Sequence, residues 1–188
     1  MTDWILYFFI YSIGGYLMET VYCFFCTRQL SDRKTMHKSP MCPVYGFGAV
    51  SMAALLSGFR GNFVLLFCGG FLICSAVEYM YSMVTERAYC VVWWDYRHRF
   101  ANLDGRVCAS CSVLWGLLAV VFIQWVHPTV VFALSYAPAY SKLVAAMVLG
   151  VIFLSDLAIT HDILSNIAKG KIQEEEFGGL RPIRKGEL

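Results

Sequence analysis

The chain has 188 residues, of which 59% are hydrophobic and 15% charged, with a formal net charge of +2. A soluble domain carries roughly 45–50% apolar and about 25% charged residues. This composition, with a mean hydropathy of +0.59, therefore excludes an ordinary soluble domain, and the length suits one compact bundle. No nucleic-acid partner is expected, and Met1-Thr2-Asp3-Trp4 lacks the basic opening of a secretory signal.

A helical span needs about 20 mostly apolar residues. Trp4 to Phe25 is the first such run, followed by a polar loop from Cys26 to Pro40 with Arg28, Arg33, Lys34 and Lys38. Val44 to Phe59 is a shorter apolar run, entered through Pro40-Met41-Cys42-Pro43, where two close prolines resist helix. Phe63 to Val84 is the third run, Glu86 to Gly105 a polar and aromatic stretch, and Val107 to Val126 the fourth run. Pro128 to Pro138 is apolar but short, which predicts an outer-face loop or half-helix before the last run, Ala139 to Leu164. The pattern predicts an all-α polytopic membrane bundle over residues 1–164 with about five transmembrane helices, and a cytosolic C-terminal tail over 165–188 that carries Glu174-Glu175-Glu176.

Five spans place the termini on opposite sides. Thirteen of the fifteen Lys and Arg residues then fall on the side of the tail, leaving only Arg60 and Lys142 on the other. The positive-inside rule orients the N-terminus outside and the tail in the cytosol of a cell membrane. Trp4, Trp93 and Trp125 are read as interfacial aromatics near span ends.

Glu19, Glu78 and Asp156 fall inside apolar runs. A carboxylate at mid-membrane costs about 2.5–3.5 kcal/mol even on insertion scales, so such residues face the bundle interior or water and mark functional sites by default. At 1.5 Å per residue, Glu19 lies about 22 Å below Trp4 and Glu78 about 12 Å above Glu86. Asp156 is similarly placed in its run, so all three belong to the inner half, and Glu19 and Glu78 are expected to face each other across a cavity. Glu78, Ser82 and Glu86 form one stripe at i, i+4 and i+8. Two roles fit the pair Glu19 and Glu78: structural pairing with Arg or backbone, or contact with a substrate or ion. Asp156 reads as part of a generally polar helix with Ser155 and Thr160, and His161 and Asp162 as its solvated end.

Trp93-Trp94-Asp95-Tyr96, followed by Asn102, Asp104, Gly105 and Arg106, is too polar to cross a bilayer and is rich in turn formers. It is predicted to fold back as a lid over the cytosolic mouth, with Arg106 paired to Asp95, Glu86 or Glu78 through its planar fork; the alternative is a free cytosolic loop with Arg106 on phospholipid head groups. The candidate ligand-binding residues are Glu19, Tyr45, Glu78, Glu86, Trp94, Asp95, Tyr96, Asn102 and Arg106. Eight cysteines include the C-x-x-C pairs Cys23/Cys26 and Cys108/Cys111. A reducing face and the absence of flanking Gly turns favour unpaired thiols over disulfides or zinc, and no metal or other cofactor is expected. No G-x-x-x-x-G-K-[ST], H-E-x-x-H or G-x-S-x-G is present.

Several blocks resemble motifs of one family. They are Tyr11-Ser12, Gly15, Glu19 and Tyr22; then Pro40, Pro43, Tyr45-Gly46 and Gly48; then the helix from Glu78 to Glu86. The last block runs from Trp93 to Tyr96, with Asn102, Gly105-Arg106, Cys108, Ser112 and Trp115-Gly116. Together they resemble the putative ABC-transporter type IV (CmpB-like) membrane proteins, mostly bacterial, over roughly Ile5 to Leu118. Tyr16, Arg97 and Ala101 depart from the family pattern, which has Trp, Ser and Pro-Phe-Asn there. The resemblance implies a permease that works with membrane lipid around it and a separate ATPase subunit or other membrane protein. An intramembrane enzyme acting on a lipid or isoprenoid-like substrate and a structural or regulatory subunit stay open beside it, with an enzyme the less favoured reading.

Overall fold

The computed structural model describes residues 1–27, 36, 38–169 and 181–182. The predicted basic residues Arg28, Arg33 and Lys34, and the tail residues Lys171, Glu174, Glu175, Glu176, Arg184 and Lys185, lie outside the described residues. Four helices are long and apolar enough to cross a membrane: Thr2–Phe25, Phe63–Tyr89, Ala109–Ser135 and Ala139–Ala168. The all-α polytopic bundle expected from hydropathy is thus observed. Helix α1 is Thr2–Thr27, α2 is Pro43–Leu56 with a 3-10 turn to Phe59, and α3 is Phe63–Tyr89. Helix α4, Ala109–Val121, continues through a π-helical turn, Phe122–Val126, into α5, His127–Ser135, and α6 is Ala139–Ala168.

The second apolar run is not a full-length rod. The Cys42 N–H donates to the Ser12 carbonyl at 3.1 Å, and Ser12 lies about 15 Å along α1. Helix α2 therefore begins inside the bundle, and the segment leading to it buries several of its side chains, with Met36 1%, Met41 3% and Cys42 2% exposed, while Lys38 and Pro40 stay exposed. Met36 and Met41 pack on Phe9 of α1, with Phe153 of α6 against the same cluster. Irregular backbone at membrane depth persists only where protein satisfies its polar groups. Asp156 does this. Its carboxylate accepts the Lys38 N–H at 3.0 Å and the Ser39 N–H at 2.7 Å, together with the Ser39 hydroxyl. Asp156 is 4% exposed, so it is a specific anchor for the 38–39 backbone rather than part of a generally polar helix.

Pro128–Pro138 departs from the expected element. Its first part is not an outer-face loop or half-helix but the last two turns of a helix that runs from Ala109 to Ser135. Pro128 lacks an N–H, and its ring crowds the carbonyl four residues back. The π-turn absorbs this conflict, with the His127 N–H reaching back five residues to the Phe122 carbonyl. Trp125 consequently sits within this helix, 63% exposed, and not at a span end.

The ends of the bundle are set by cross-helix pairs. Lys142 at the start of α6 meets Asp3 at the start of α1 at 2.9 Å, while deeper in the bundle the Tyr11 hydroxyl meets His127 Nδ1 at 2.7 Å. At the other end Tyr89 meets His161 at 2.8 Å. Two short hairpin strands, β2 (Asn102–Leu103) and β3 (Val107–Cys108), build the lid there, and β1 (Val91–Val92) pairs antiparallel with β4 (Arg181–Pro182).

Helices α3 and α4 approach closely because Gly70 has no side chain. A Cβ there would strike the Ala119 methyl and come within 3.1 Å of the Trp115 carbonyl. Overpacking of this kind costs about 1–3 kcal/mol. Gly70→Val is expected to lower thermal stability in detergent by that amount, and Ala119→Gly is expected to relieve most of the effect of Gly70→Ala.

Candidate functional site

The lid end gathers most of the predicted residues into two connected clusters. Glu78 is 6% exposed on α3. It accepts the Tyr96 hydroxyl at 3.2 Å and Trp115 Nε1 at 3.0 Å. The Trp115 ring packs against Tyr45, centroids 5.6 Å apart, and the Tyr45 hydroxyl donates to Glu19 at 3.0 Å. Four helices and the lid thus meet at two carboxylates separated by two aromatic rings. Burial, then the adjacent Glu78 charge, push the Tyr96 hydroxyl well above the usual phenol range. Tyr96 is accordingly held as a donor.

The second cluster is the predicted arginine pair. Arg106 donates to Glu86 from Nε at 2.9 Å and from Nη2 at 2.7 Å, both to the same oxygen. Nη1 meets Asp104 at 3.1 Å, and the guanidinium lies 5.2 Å from the Tyr79 ring centroid. Burial works against the charge, but the Glu86 hydrogen bonds and charge outweigh it and raise the Arg106 pKa above its ordinary value. Glu86 is therefore the partner among the three carboxylates considered. Asp95 instead accepts the Arg97 N–H at 2.9 Å.

Trp94 and Asn102 shape the lid. Trp94 Nε1 donates to the Arg106 carbonyl at 2.8 Å, and its ring stacks on Tyr81 at 6.3 Å. Asn102 donates to the Arg97 and Arg99 carbonyls and accepts the Gly105 N–H. Gly105, at φ +70, supplies the left-handed turn. The lid does not hang below the bundle. Asp104 accepts the Tyr79 hydroxyl at 2.7 Å, ten residues before the end of α3, so the lid packs along the flank of the helices.

Above the carboxylates lies an apolar groove of about 290 Å³ between α1, α2 and α4. Tyr45 and Trp115 close its lid end, Gly15 and Met18 form one wall, and Tyr11 and Phe122 lie at the far end. Gly14, Met18, Val121 and Val126 on its margin are exposed, so the groove opens sideways. Tyr22, which stands with Glu19 in the first family-like block, is 62% exposed and does not line it.

Trp115 is the site residue that polarity alone did not single out, although it stood in the Trp115-Gly116 motif. Tyr79 gave no signal, since a lone Tyr in an apolar run reads as core. Among the described residues, no group of three His, Cys, Asp or Glu side chains is placed to hold a metal ion.

This arrangement defines a class before it defines a family: a polytopic α-helical membrane protein with buried carboxylates and a flank-packed lid at one end. The family model described as Putative ABC-transporter type IV matches residues 6–161. The match covers most of the sequence, and the chain belongs to that family. No curated protein and no solved structure matches it.

Proposed function

We propose that the protein is the membrane subunit of a transport system that binds an amphiphile from the cytosolic leaflet. The lid end faces the cytosol in this reading, in keeping with the basic residues gathered there. A separate ATPase subunit supplies energy, since this sequence contains no phosphate-binding loop of its own. One observation carries the proposal: the apolar groove ends on Tyr45, which donates to Glu19, and on Trp115, which donates to Glu78 beside Tyr96. An acyl or isoprenoid chain fits the groove, and a head group with hydrogen-bond donors would reach the carboxylates by displacing those bonds. Such a site, mostly apolar with a few convergent polar groups, is the usual form of a small-molecule pocket.

The test is extraction and mass spectrometry of protein purified in mild detergent. One amphiphile class enriched over bulk lipid is expected. Tyr45→Phe, which keeps the ring and removes the donor that competes with the head group for Glu19, is expected to raise its retention about tenfold, the scale of one hydrogen bond to a charged group. A lipid profile identical to the bulk membrane, or retention unchanged by Tyr45→Phe, would overturn the proposal. Chemical turnover of the retained molecule by the purified protein would support the intramembrane enzyme instead.

A further inference from the structure

The lid carries a feature that the groove and carboxylates do not use. Its tip, Arg97–Leu103, pushes two apolar side chains outward: Phe100 is 89% and Leu103 58% exposed. This is not a slack loop. Tyr96 N–H donates to the Gly105 carbonyl at 2.8 Å, Arg99 N–H to the Tyr96 carbonyl at 2.8 Å, and Ala109 N–H to the Ala101 carbonyl at 3.2 Å. Asn102 bonds two further carbonyls from inside the turn. Ala101 and Asp104 are held at φ 48 and 53, conformations that L residues seldom adopt. A turn so constrained fixes Phe100 and Leu103 in place, and their exposure needs a partner.

Depth identifies it. The tip is tied to α3 through the bond between Asp104 and Tyr79. Tyr79 stands sixteen residues past Phe63, about 24 Å from the opposite end of the bundle. The hydrocarbon core is about 30 Å thick. The tip therefore stands on the flank of the bundle near the inner edge of that core, where acyl chains give way to head groups. The neighbours of Phe100 include the exposed cations Arg97 and Arg99, with Arg87 and Lys169 exposed at the same end. The acid nearest Arg97 is Asp95, at 3.9 Å, too far for a strong pair. Apolar side chains at acyl depth beside cations at phosphate depth match an anionic lipid surface, since Arg and Lys keep the charge in the head-group layer while apolar groups insert.

We propose that the turn Arg97–Leu103 anchors the lid in an anionic leaflet, with Phe100 and Leu103 inserted among acyl chains and Arg97 and Arg99 bound to lipid phosphates. Binding there holds the lid from outside, as Arg106 and Glu86 hold it from within. The proposal does not depend on any ligand in the groove, and its failure would leave the groove reading untouched.

Two measurements test it on the full chain. Solubilised protein is mixed with equal amounts of phosphatidylglycerol and phosphatidylcholine, and retained lipids are counted by native mass spectrometry. Phosphatidylglycerol is expected to be preferred, each cation contributing about fivefold, and the double variant Arg97→Gln/Arg99→Gln is expected to lower that preference about twentyfold. Separately, Phe100→Trp is placed in phosphatidylcholine–phosphatidylglycerol vesicles with brominated acyl chains. Its added emission, taken as the difference from the parent protein, is expected to be quenched. No lipid preference in the unsubstituted protein, a preference that the double variant leaves unchanged, or unquenched emission typical of water would each overturn the anchor. The last result would assign the tip to a soluble protein partner.

Discussion

Arg106→Ala is expected to destabilise the protein by about 3 kcal/mol, because it leaves the Glu86 carboxylate nearly buried without its cation. The Glu86 side chain is 11% exposed and that of Arg106 18%, so water compensates little. At the usual scaling for a chain of this size, Tm falls by roughly 6–12 °C, readable by thermal unfolding in detergent. The same substitution removes the Asp104 contact and the stacking on Tyr79, so the lid should loosen as well as the helix end. Arg106→Lys keeps the charge but lacks the planar fork that gives Glu86 two N–H donors while a third nitrogen meets Asp104. An intermediate loss is expected. If Lys matches the parent protein, the fork geometry is not what holds the lid. Arg106→Gln/Glu86→Gln is expected to cost less than Arg106→Ala, since no uncompensated charge is left behind.

Asp156→Ala should be comparably damaging for a different reason. It leaves the Lys38 and Ser39 N–H groups and the Ser39 hydroxyl without their acceptor. Each unsatisfied buried donor costs about 1–3 kcal/mol, so a total of about 3–5 kcal/mol is expected after local relaxation. The segment would then be free to leave the bundle. Cys42, 2% exposed at the start of α2, reports this directly. Its alkylation, mapped by peptide mass spectrometry, should rise sharply in Asp156→Ala. Ser39→Ala, which deletes one donor together with its need, should cost about 1 kcal/mol and leave Cys42 protected. Equal protection of Cys42 in both variants would show that Asp156 does not hold this segment in place.

The apolar runs were legible because hydropathy over about 20 residues is a local property that lipid requires of each span separately. The i, i+4, i+8 spacing of Glu78, Ser82 and Glu86 was legible for a related reason: helical geometry alone puts them on one stripe, and all three are buried. Arg106 could be expected to pair with a carboxylate, because a planar cation beside a turn-forming Gly105 has few other uses at a bundle end. Which carboxylate it takes was not legible. Asp95 is nearer in sequence, but the left-handed turn at Asp104 and Gly105 directs the guanidinium back toward α3 and Glu86.

Tertiary structure alone decided the rest. Sequence marks Pro40 and Pro43 as helix-resistant, yet whether that backbone stays in water or enters the bundle depends on an acceptor 118 residues away, the Asp156 carboxylate. Pro128 reads as a helix break, and becomes a helix interior because a five-residue turn before it moves the clashing carbonyl aside. Trp115 reads as one more aromatic in an apolar run, and becomes the donor to Glu78 only because Gly70 lets α3 and α4 approach closely enough. By itself the sequence determined a membrane-embedded helical protein with carboxylates toward one end, since lipid imposes those demands residue by residue. The groove, the re-entrant segment and the partner of each charge were decided by packing, since each depends on groups far apart in the chain meeting within hydrogen-bond distance.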